Sequence, residues 1–438
     1  MNVTTNRRTF LWQTSASMTA AAAVSSGRTY GSALEKINLA SVGVGGKGAS
    51  DLRETAVGHN VVAICDVDAN RLAAAAKDFP QAKTYTDWRK LLEQKNIDAV
   101  TVSTPDHMHA TISLAAMSLG KHVYTQKPLT HNVQEARQMQ LAAEKYRVVT
   151  QMGIQHHSSA RIKNAVQIIR DGVIGKVREV HTWTDRPGAF WKQGLQRPER
   201  SDPVPSSLNW DLWLGVAPQR PFVSALFHPF HWRGWWDYGT GAMGDMGCHI
   251  WDPVFTALEL KSPTLIEAQG PEPDLESGPL WCEITYEFPG TRHTTDTVKV
   301  VWYEAGRQPD PAIIKAPQDW PGSLNGVLFV GERGNLFVGF PEETQLFPHG
   351  DFSDYQLPQH EDNNHYTQWT QAILGQGQTS CPFSYAGPLT EAVLLGNVAY
   401  RSGGKVTWDQ QKMKTLGNDN AQQFIGRTYR TGWELSPL

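Results

Sequence analysis

The chain has 438 residues, 40 Lys+Arg against 43 Asp+Glu for a net charge of −3, and 40% hydrophobic residues. The missing basic excess argues against a dedicated nucleic-acid binder, and a chain this long and apolar has material for two or three cores. Four cysteines (Cys65, Cys248, Cys282, Cys381), none in a CxxC pair, exclude a disulfide scaffold.

Residues 1–33 read as a leader. Arg7-Arg8 precede Thr9-Phe10-Leu11, an Ala-rich stretch covers 15–24, and small residues end near Ser32-Ala33. The apolar part falls short of the roughly 20 residues of a membrane span. We therefore expect a Tat-type export signal and a periplasmic product that leaves the cytoplasm folded, with no membrane partner. A disordered tail is the bland alternative.

From residue 37 short apolar strands alternate with helical stretches. Strands are expected at 37–44, 61–66, 99–104, 122–126 and 148–151, with helices at 49–57, 69–78, 87–94, 108–119 and 133–146. This pattern predicts an α/β doubly wound parallel sheet of Rossmann type over 34–153. Residues 154–438 change character. A helix at 160–171, a strand at 177–185, a Pro/Trp-rich loop over 186–238 and strands at 281–288, 297–303, 326–330 and 335–340 precede a helix at 389–400. They predict a second, α+β domain with a large, mostly antiparallel sheet.

Gly43-Val44-Gly45-Gly46-Lys47-Gly48 fits GxGxxG between the first strand and helix. Gly43 suits the tight turn, Gly45 a close approach to pyrophosphate, and Gly48 helix–strand packing, with Gly46 in the same cradle. The helix N-terminus offers free N–H groups to phosphates. Asp66, ending the second strand, is placed to accept from ribose hydroxyls and repel a 2′-phosphate, so NAD is favoured over NADP.

Gln126-Lys127-Pro128 follows a strand, at the end where a doubly wound sheet opens its ligand crevice. Lys127 is either a proton carrier there or an ordinary solvated lysine. In Gly241-Ala242-Met243-Gly244-Asp245-Met246-Gly247-Cys248-His249, Asp245 and His249 stand one helical turn apart. We expect Asp245 to orient His249 as a general acid/base. The rivals are a satisfied core histidine, or a metal held by Asp245 and His249 with His228 or His231. Gly244 and Gly247 read as sites of close backbone or ligand approach. Eight tryptophans between Trp183 and Trp251 fit a wall for sugar rings, an aromatic core or an oligomer interface equally well. His156 follows the last strand of the first domain and is a candidate for the same cleft.

These motifs, with Thr104-Pro105-Asp106-His107-Met108-His109, Gly120-Lys121-His122-Val123-Tyr124, 208–215 and 232–237, resemble the glucose-fructose oxidoreductase / inositol dehydrogenase / MocA family, in its exported bacterial branch. The resemblance covers nearly everything from Lys36 onward. It implies a Rossmann domain, a C-terminal α+β domain that often makes homo-oligomer contacts, and hydride transfer at a carbinol carbon of a sugar or cyclitol. Lys127 matches the lysine of the family's Glu-Lys-Pro motif, and Asp245 and His249 its Asp and His. Ser103, Thr104, His109, Gln126 and Lys127 are expected to join the glycines and Asp66 around the cofactor.

One departure is that the family's Glu is Gln126 here. It leaves open whether Lys127 or His249 takes the hydroxyl proton. The expected function is an exported NAD-dependent sugar or polyol oxidoreductase that keeps its cofactor bound, since the periplasm is expected to lack a usable pool of it. Redox-neutral glycoside cleavage through a transient 3-keto sugar is the runner-up. A non-catalytic binder and a metal-dependent hydrolase complete the alternatives.

Overall fold

A computed structural model describes residues 35–340 and 343–435. The expected leader at 1–33 lies outside them.

The first sheet holds six parallel strands, β1 (Asn38–Val42), β2 (Asn60–Cys65), β3 (Lys83–Tyr85), β4 (Ala99–Val102), β5 (His122–Gln126) and β6 (Thr150–Gly153), in the order β3-β2-β1-β4-β5-β6. Its crossovers carry α1 (Lys47–Thr55), α2 (Ala69–Asp78), α3 (Trp88–Leu92), α4 (His109–Ser118) and α5 (Val133–Tyr146). The central strands read as unbroken apolar runs because both faces are covered. Two polar residues in this core answer each other, with the Thr101 hydroxyl donating to Ser41 at 2.6 Å. Asp68, Asp87 and Asn132 cap α2, α3 and α5 through their side chains, whereas α1 begins at Gly46 with no side-chain cap.

The second sheet has nine strands. They are β7 (Val177–Trp183), β8 (Leu265–Gln269), β9 (Glu283–Pro289), β10 (Thr294–Tyr303), β11 (Gly326–Gly331), β12 (Asn335–Gly339), β13 (Gln345–Phe347), β14 (Lys405–Asp409) and β15 (Lys414–Leu416), ordered β13-β12-β11-β7-β10-β9-β8-β14-β15. Every pairing is antiparallel except β7 with β10. The helices of this part are α6 (Ala160–Arg170), α7 (Trp210–Leu214), α8 (Gly241–Leu258), α9 (Pro311–Ile314), α10 (His365–Ile373) and α11 (Phe383–Arg401).

The two parts share a core. Met139 of α5, Ile250 of α8, Tyr286 of β9 and Val393 of α11 belong to one buried apolar cluster. Gly247 gives α11 its path past α8, because a Cβ there would stand 2.9 Å from Val393 Cγ1. A Cβ on Gly244 would meet the Thr240 hydroxyl at 2.0 Å. Both glycines therefore serve protein packing rather than the approach of a ligand. Among the described residues, no helix is long and apolar enough to cross a membrane.

Candidate active site

A cleft of about 350 Å³ opens at the carboxyl ends of β1, β2, β4 and β5. Gly43, Gly45, Gly46, Asp66, Ser103, Thr104, Gln126, Lys127 and Asp245 all line it. The glycine turn is shaped by contact. Gly43 adopts φ +81°, and a Cβ there would lie 2.7 Å from the Ser103 carbonyl oxygen; a Cβ on Gly48 would lie 1.8 Å from the Gly43 oxygen. This close cradle, with the uncapped start of α1, fits a pyrophosphate. Asp66 accepts from the Val44 and Asp68 N–H groups at 2.9 and 3.0 Å. Burial raises its carboxyl from the ordinary value against these bonds.

The lysine sits in a tight polar contact. Lys127 Nζ donates to the Asp245 carboxylate at 2.8 Å and to the Asp245 carbonyl at 2.6 Å, and Arg233 Nε donates to the same carboxylate oxygen at 3.2 Å. Burial alone would raise the Asp245 carboxyl. The Lys127 and Arg233 cations nevertheless hold it well below the usual carboxylate range. An ammonium has three N–H bonds. Two serve Asp245, and one remains for a ligand oxygen.

Asp245's hydrogen bonds thus go to Lys127 and Arg233, where the sequence suggested that it orients His249. His249 lies one turn further along α8, its ring 5.7 Å from that of His156, which stacks on Phe340. Its Nδ1 is buried without a hydrogen-bond partner among the described residues. Burial, then Lys127 and His156, hold His249 well below the ordinary histidine value, so the ring is neutral at pH 7.

His109 is placed away from the cleft lining. Its imidazole lies between the Pro128 and Thr104 carbonyls at 2.9 and 2.8 Å, tying the loops after β4 and β5 together. His228 lines the cleft but meets Asp68 at 3.0 Å. Among the described residues no group of three or more His, Cys, Asp or Glu side chains is placed to hold a metal ion.

The tryptophan cluster is core first. Trp210, Trp213, Trp232 and Trp235 pack with Phe222, Phe227 and Tyr238 into one buried group, and only Trp213 and Trp232 of these reach the cleft.

Three cleft residues escaped the sequence reading. Arg233 lies in the 232–237 block but carries no spacing signal. Arg71 crosses Gly45, where a Cβ would stand 2.4 Å from its guanidinium. Asp106 is buried, accepts from the Thr240 hydroxyl at 2.7 Å, and is pushed up to about 7, mainly by burial.

The departure at position 126 has a partner. Gln126 Nε2 donates to Asp51 of α1 at 2.8 Å. Asp51 also accepts from the Ser103 hydroxyl at 2.8 Å and from Tyr366 of α10 at 2.8 Å, and it pairs with Lys47 at 2.8 Å. The negative charge here sits on α1 instead of on the residue before the lysine.

Comparison with known proteins matches residues 37–154 to the oxidoreductase family's NAD-binding Rossmann fold and residues 158–435 to the same family's C-terminal alpha/beta domain. Levoglucosan dehydrogenase of Pseudarthrobacter phenanthrenivorans is 25% identical over 221 residues, 49% of this chain and 47% of that protein. Inositol 2-dehydrogenase of Salmonella typhimurium is 30% identical over 145 residues, 32% of this chain and 43% of that protein. Each of these matches thus spans less than half of the relative's length. Among solved structures, the WlbA dehydrogenase of Bordetella pertussis, in complex with NADH and UDP-GlcNAcA, superimposes with TM-score 0.60 at 16% identity, covering 85% of this chain and 99% of that one. An inositol dehydrogenase homolog from Azotobacter vinelandii, complexed with NADH and myo-inositol, gives TM-score 0.55 at 18% identity, covering 86% and 98%.

Proposed function

Because the chain belongs to the Gfo/Idh/MocA oxidoreductase family, with its NAD-binding Rossmann fold and C-terminal α/β domain, we propose that it is an NAD-dependent oxidoreductase acting on a CH–OH group of a sugar or polyol. The observation that carries this reading is the 2.8 Å contact of Lys127 Nζ with Asp245 inside the cleft that the glycine turn opens. When bound, the nicotinamide supplies or accepts the hydride.

The chain's own residues do the rest. Gly43, Gly45 and Gly46 cradle the pyrophosphate, and Asp66 faces the ribose hydroxyls. Asp245 and Arg233 fix the direction of Lys127. In the reducing direction the Lys127 ammonium donates its third N–H proton to the forming alcohol oxygen; in the oxidising direction the ammonium first releases that proton to solvent, and the amine then takes the hydroxyl proton at Nζ. Lys127 is thus the proton carrier in this reading. The apolar edges of Trp213 and Trp232 receive a ring face, and the neutral His249, one turn beyond Asp245 and outside the cleft lining, is the nearest imidazole on α8 for a substrate hydroxyl that reaches past Asp245.

We also propose export of the folded, cofactor-loaded protein, supported by Arg7-Arg8 and the apolar stretch after them. Retention of an Arg7→Lys/Arg8→Lys double variant in the cytoplasm would support it; unchanged export would overturn it. Homo-oligomer formation through the large C-terminal sheet belongs to the same reading, and sedimentation of the purified protein tests it.

The decisive experiment incubates the purified holoprotein with a panel of sugars and cyclitols and reads nicotinamide absorbance. Lys127→Met should remove turnover by a factor of about 10²–10⁴ with the cofactor still bound. His249→Asn should raise KM more than it lowers kcat. Turnover unaffected by Lys127→Met would overturn the assignment. Aglycone release from an aryl glycoside without net absorbance change would replace it with redox-neutral cleavage.

A further inference from the structure

A second cavity, of about 280 Å³, lies across one residue from the cleft. Thr240 separates them: its hydroxyl holds Asp106 of the cleft at 2.7 Å, while its carbonyl accepts from Asn397 of the second cavity at 2.8 Å. Two guanidinium groups, Arg401 and Arg427, line this second cavity together with His131.

Among the described residues neither arginine forms an ion pair, although Asp237 lines the same cavity and acts on Arg401, and Glu135 feels the charge of Arg427. Among the described residues Arg401 makes no ion pair and no hydrogen bond; its guanidinium packs on the Trp236 ring at 4.9 Å and the Phe424 ring at 4.3 Å. Burial pulls it down to about 10, Asp237 opposes this, and Arg427 adds to it. Among the described residues Arg427 reaches only the Asp237 carbonyl at 3.2 Å and the His131 ring at 3.3 Å. The Nε atoms of both are buried without a partner. The nearby carboxylates are engaged elsewhere, Asp237 with Arg197 and Arg220, Glu135 with the Tyr429 hydroxyl and the His131 N–H.

Two neighbouring cations that make no ion pair among the described residues are costly at a half-buried site, and for Arg401 the Asp237 charge does not outweigh burial. Fork-shaped donors, of which Arg401 is held on aromatic faces, suit an oxyanion that accepts from both. We propose that this cavity binds a small oxyanion, a phosphate or carboxylate group, separate from cofactor and substrate. The site stands independently of the reaction at Lys127.

The test uses the full chain saturated with NADH, so that the glycine turn is occupied. Inorganic phosphate and malonate are titrated separately by calorimetry at constant ionic strength. One-site saturable binding of at least one anion is expected. Preference for phosphate assigns a phosphate-bearing ligand, and preference for malonate a carboxylate. Arg401→Gln and Arg427→Gln should each weaken binding by about tenfold or more, with NADH affinity unchanged. Arg427→Gln, on the other side of the anion, carries the test should Arg401→Gln not fold. Absence of saturable binding by either anion, or binding that survives both substitutions, would overturn the proposal.

Discussion

Gln126 Nε2 lies 2.8 Å from the Asp51 carboxylate, so the amide that replaces the family's glutamate is a donor to a buried acid on α1. Asp51 has no exposed surface and is already bonded to Lys47, Ser103 and Tyr366. A glutamate at 126 would set two carboxylates against each other.

Gln126→Glu should therefore cost about 1–3 kcal/mol of stability at pH 8. The pair must then share a proton, which raises a carboxyl in the folded state above its unfolded value. The penalty is present at high pH and shrinks as pH falls through that raised value. Thermal unfolding of both proteins from pH 8 to pH 5 measures the gap. A gap that widens toward acid contradicts the account.

The reach of the sequence follows from the range of the forces involved. β5 and α5 match their expected bounds because a strand covered on both faces, and a helix capped by Asn132, declare themselves locally. β3 went unseen: Lys83-Thr84-Tyr85 is a three-residue edge strand with no apolar run. β8, β14 and β15 are short strands at one edge of the larger sheet, and they left no clear alternation. α11 starts at Phe383, six residues before its expected start, because Pro388 looks like a breaker yet sits within the helix. The glycine turn, Asp66, Lys127 and Asp245 lay in motifs, but the pairing of the last two did not, because one-turn spacing along α8 pointed Asp245 at His249 instead. Tyr366 reaches Asp51 across 315 residues, and such a contact leaves no local trace. Arg71 and Arg233 likewise needed the tertiary fold to bring them to the cleft.

Asp106 gives the cleft a titration near neutrality. Burial raises its carboxyl from 3.8 to about 7, although the Thr240 hydroxyl and Lys127 oppose this. Between those values the folded chain holds a proton that the unfolded chain has lost, so stability falls as pH rises through this window. Asp106→Asn removes that dependence. The stability of the native protein minus that of the variant should decline from pH 4 to pH 7 and level off above. Denaturant unfolding at several pH values tests it, and a difference that rises over this window would refute it.

Cofactor choice should rest on Asp66 and not on Arg71. In the proposed reading Asp66 is the carboxylate for the ribose hydroxyls, whereas Arg71 lies against Gly45 of the glycine turn proposed to cradle the pyrophosphate. Asp66→Ser should lower the preference for NADH over NADPH by about tenfold or more by removing repulsion of the 2′-phosphate. Arg71→Ala should weaken both cofactors to a similar degree. Fluorescence titrations with NADH and NADPH separate the two effects. A preference that shifts in Arg71→Ala and stays fixed in Asp66→Ser reverses the assignment.

Lys127 and Asp245 hold each other, and this gives Lys127→Met a second signature beside lost turnover. Asp245 is partly buried at the cleft and kept ionised by Lys127 and Arg233, below the ordinary carboxylate value of 3.8. A depressed carboxyl contributes stability above its unfolded value and loses it as pH falls through the folded one. Removing the lysine leaves Asp245 with Arg233 alone, at 3.2 Å, so its folded value rises. Lys127→Met should then be less stable than the native protein at pH 7, and the difference should shrink below about pH 4 as Asp245 becomes protonated in both. NADH affinity serves as the control, because the glycine turn and Asp66 remain intact. A variant that loses turnover with no change in the pH dependence of its stability would mean that the lysine acts without Asp245 as its anchor.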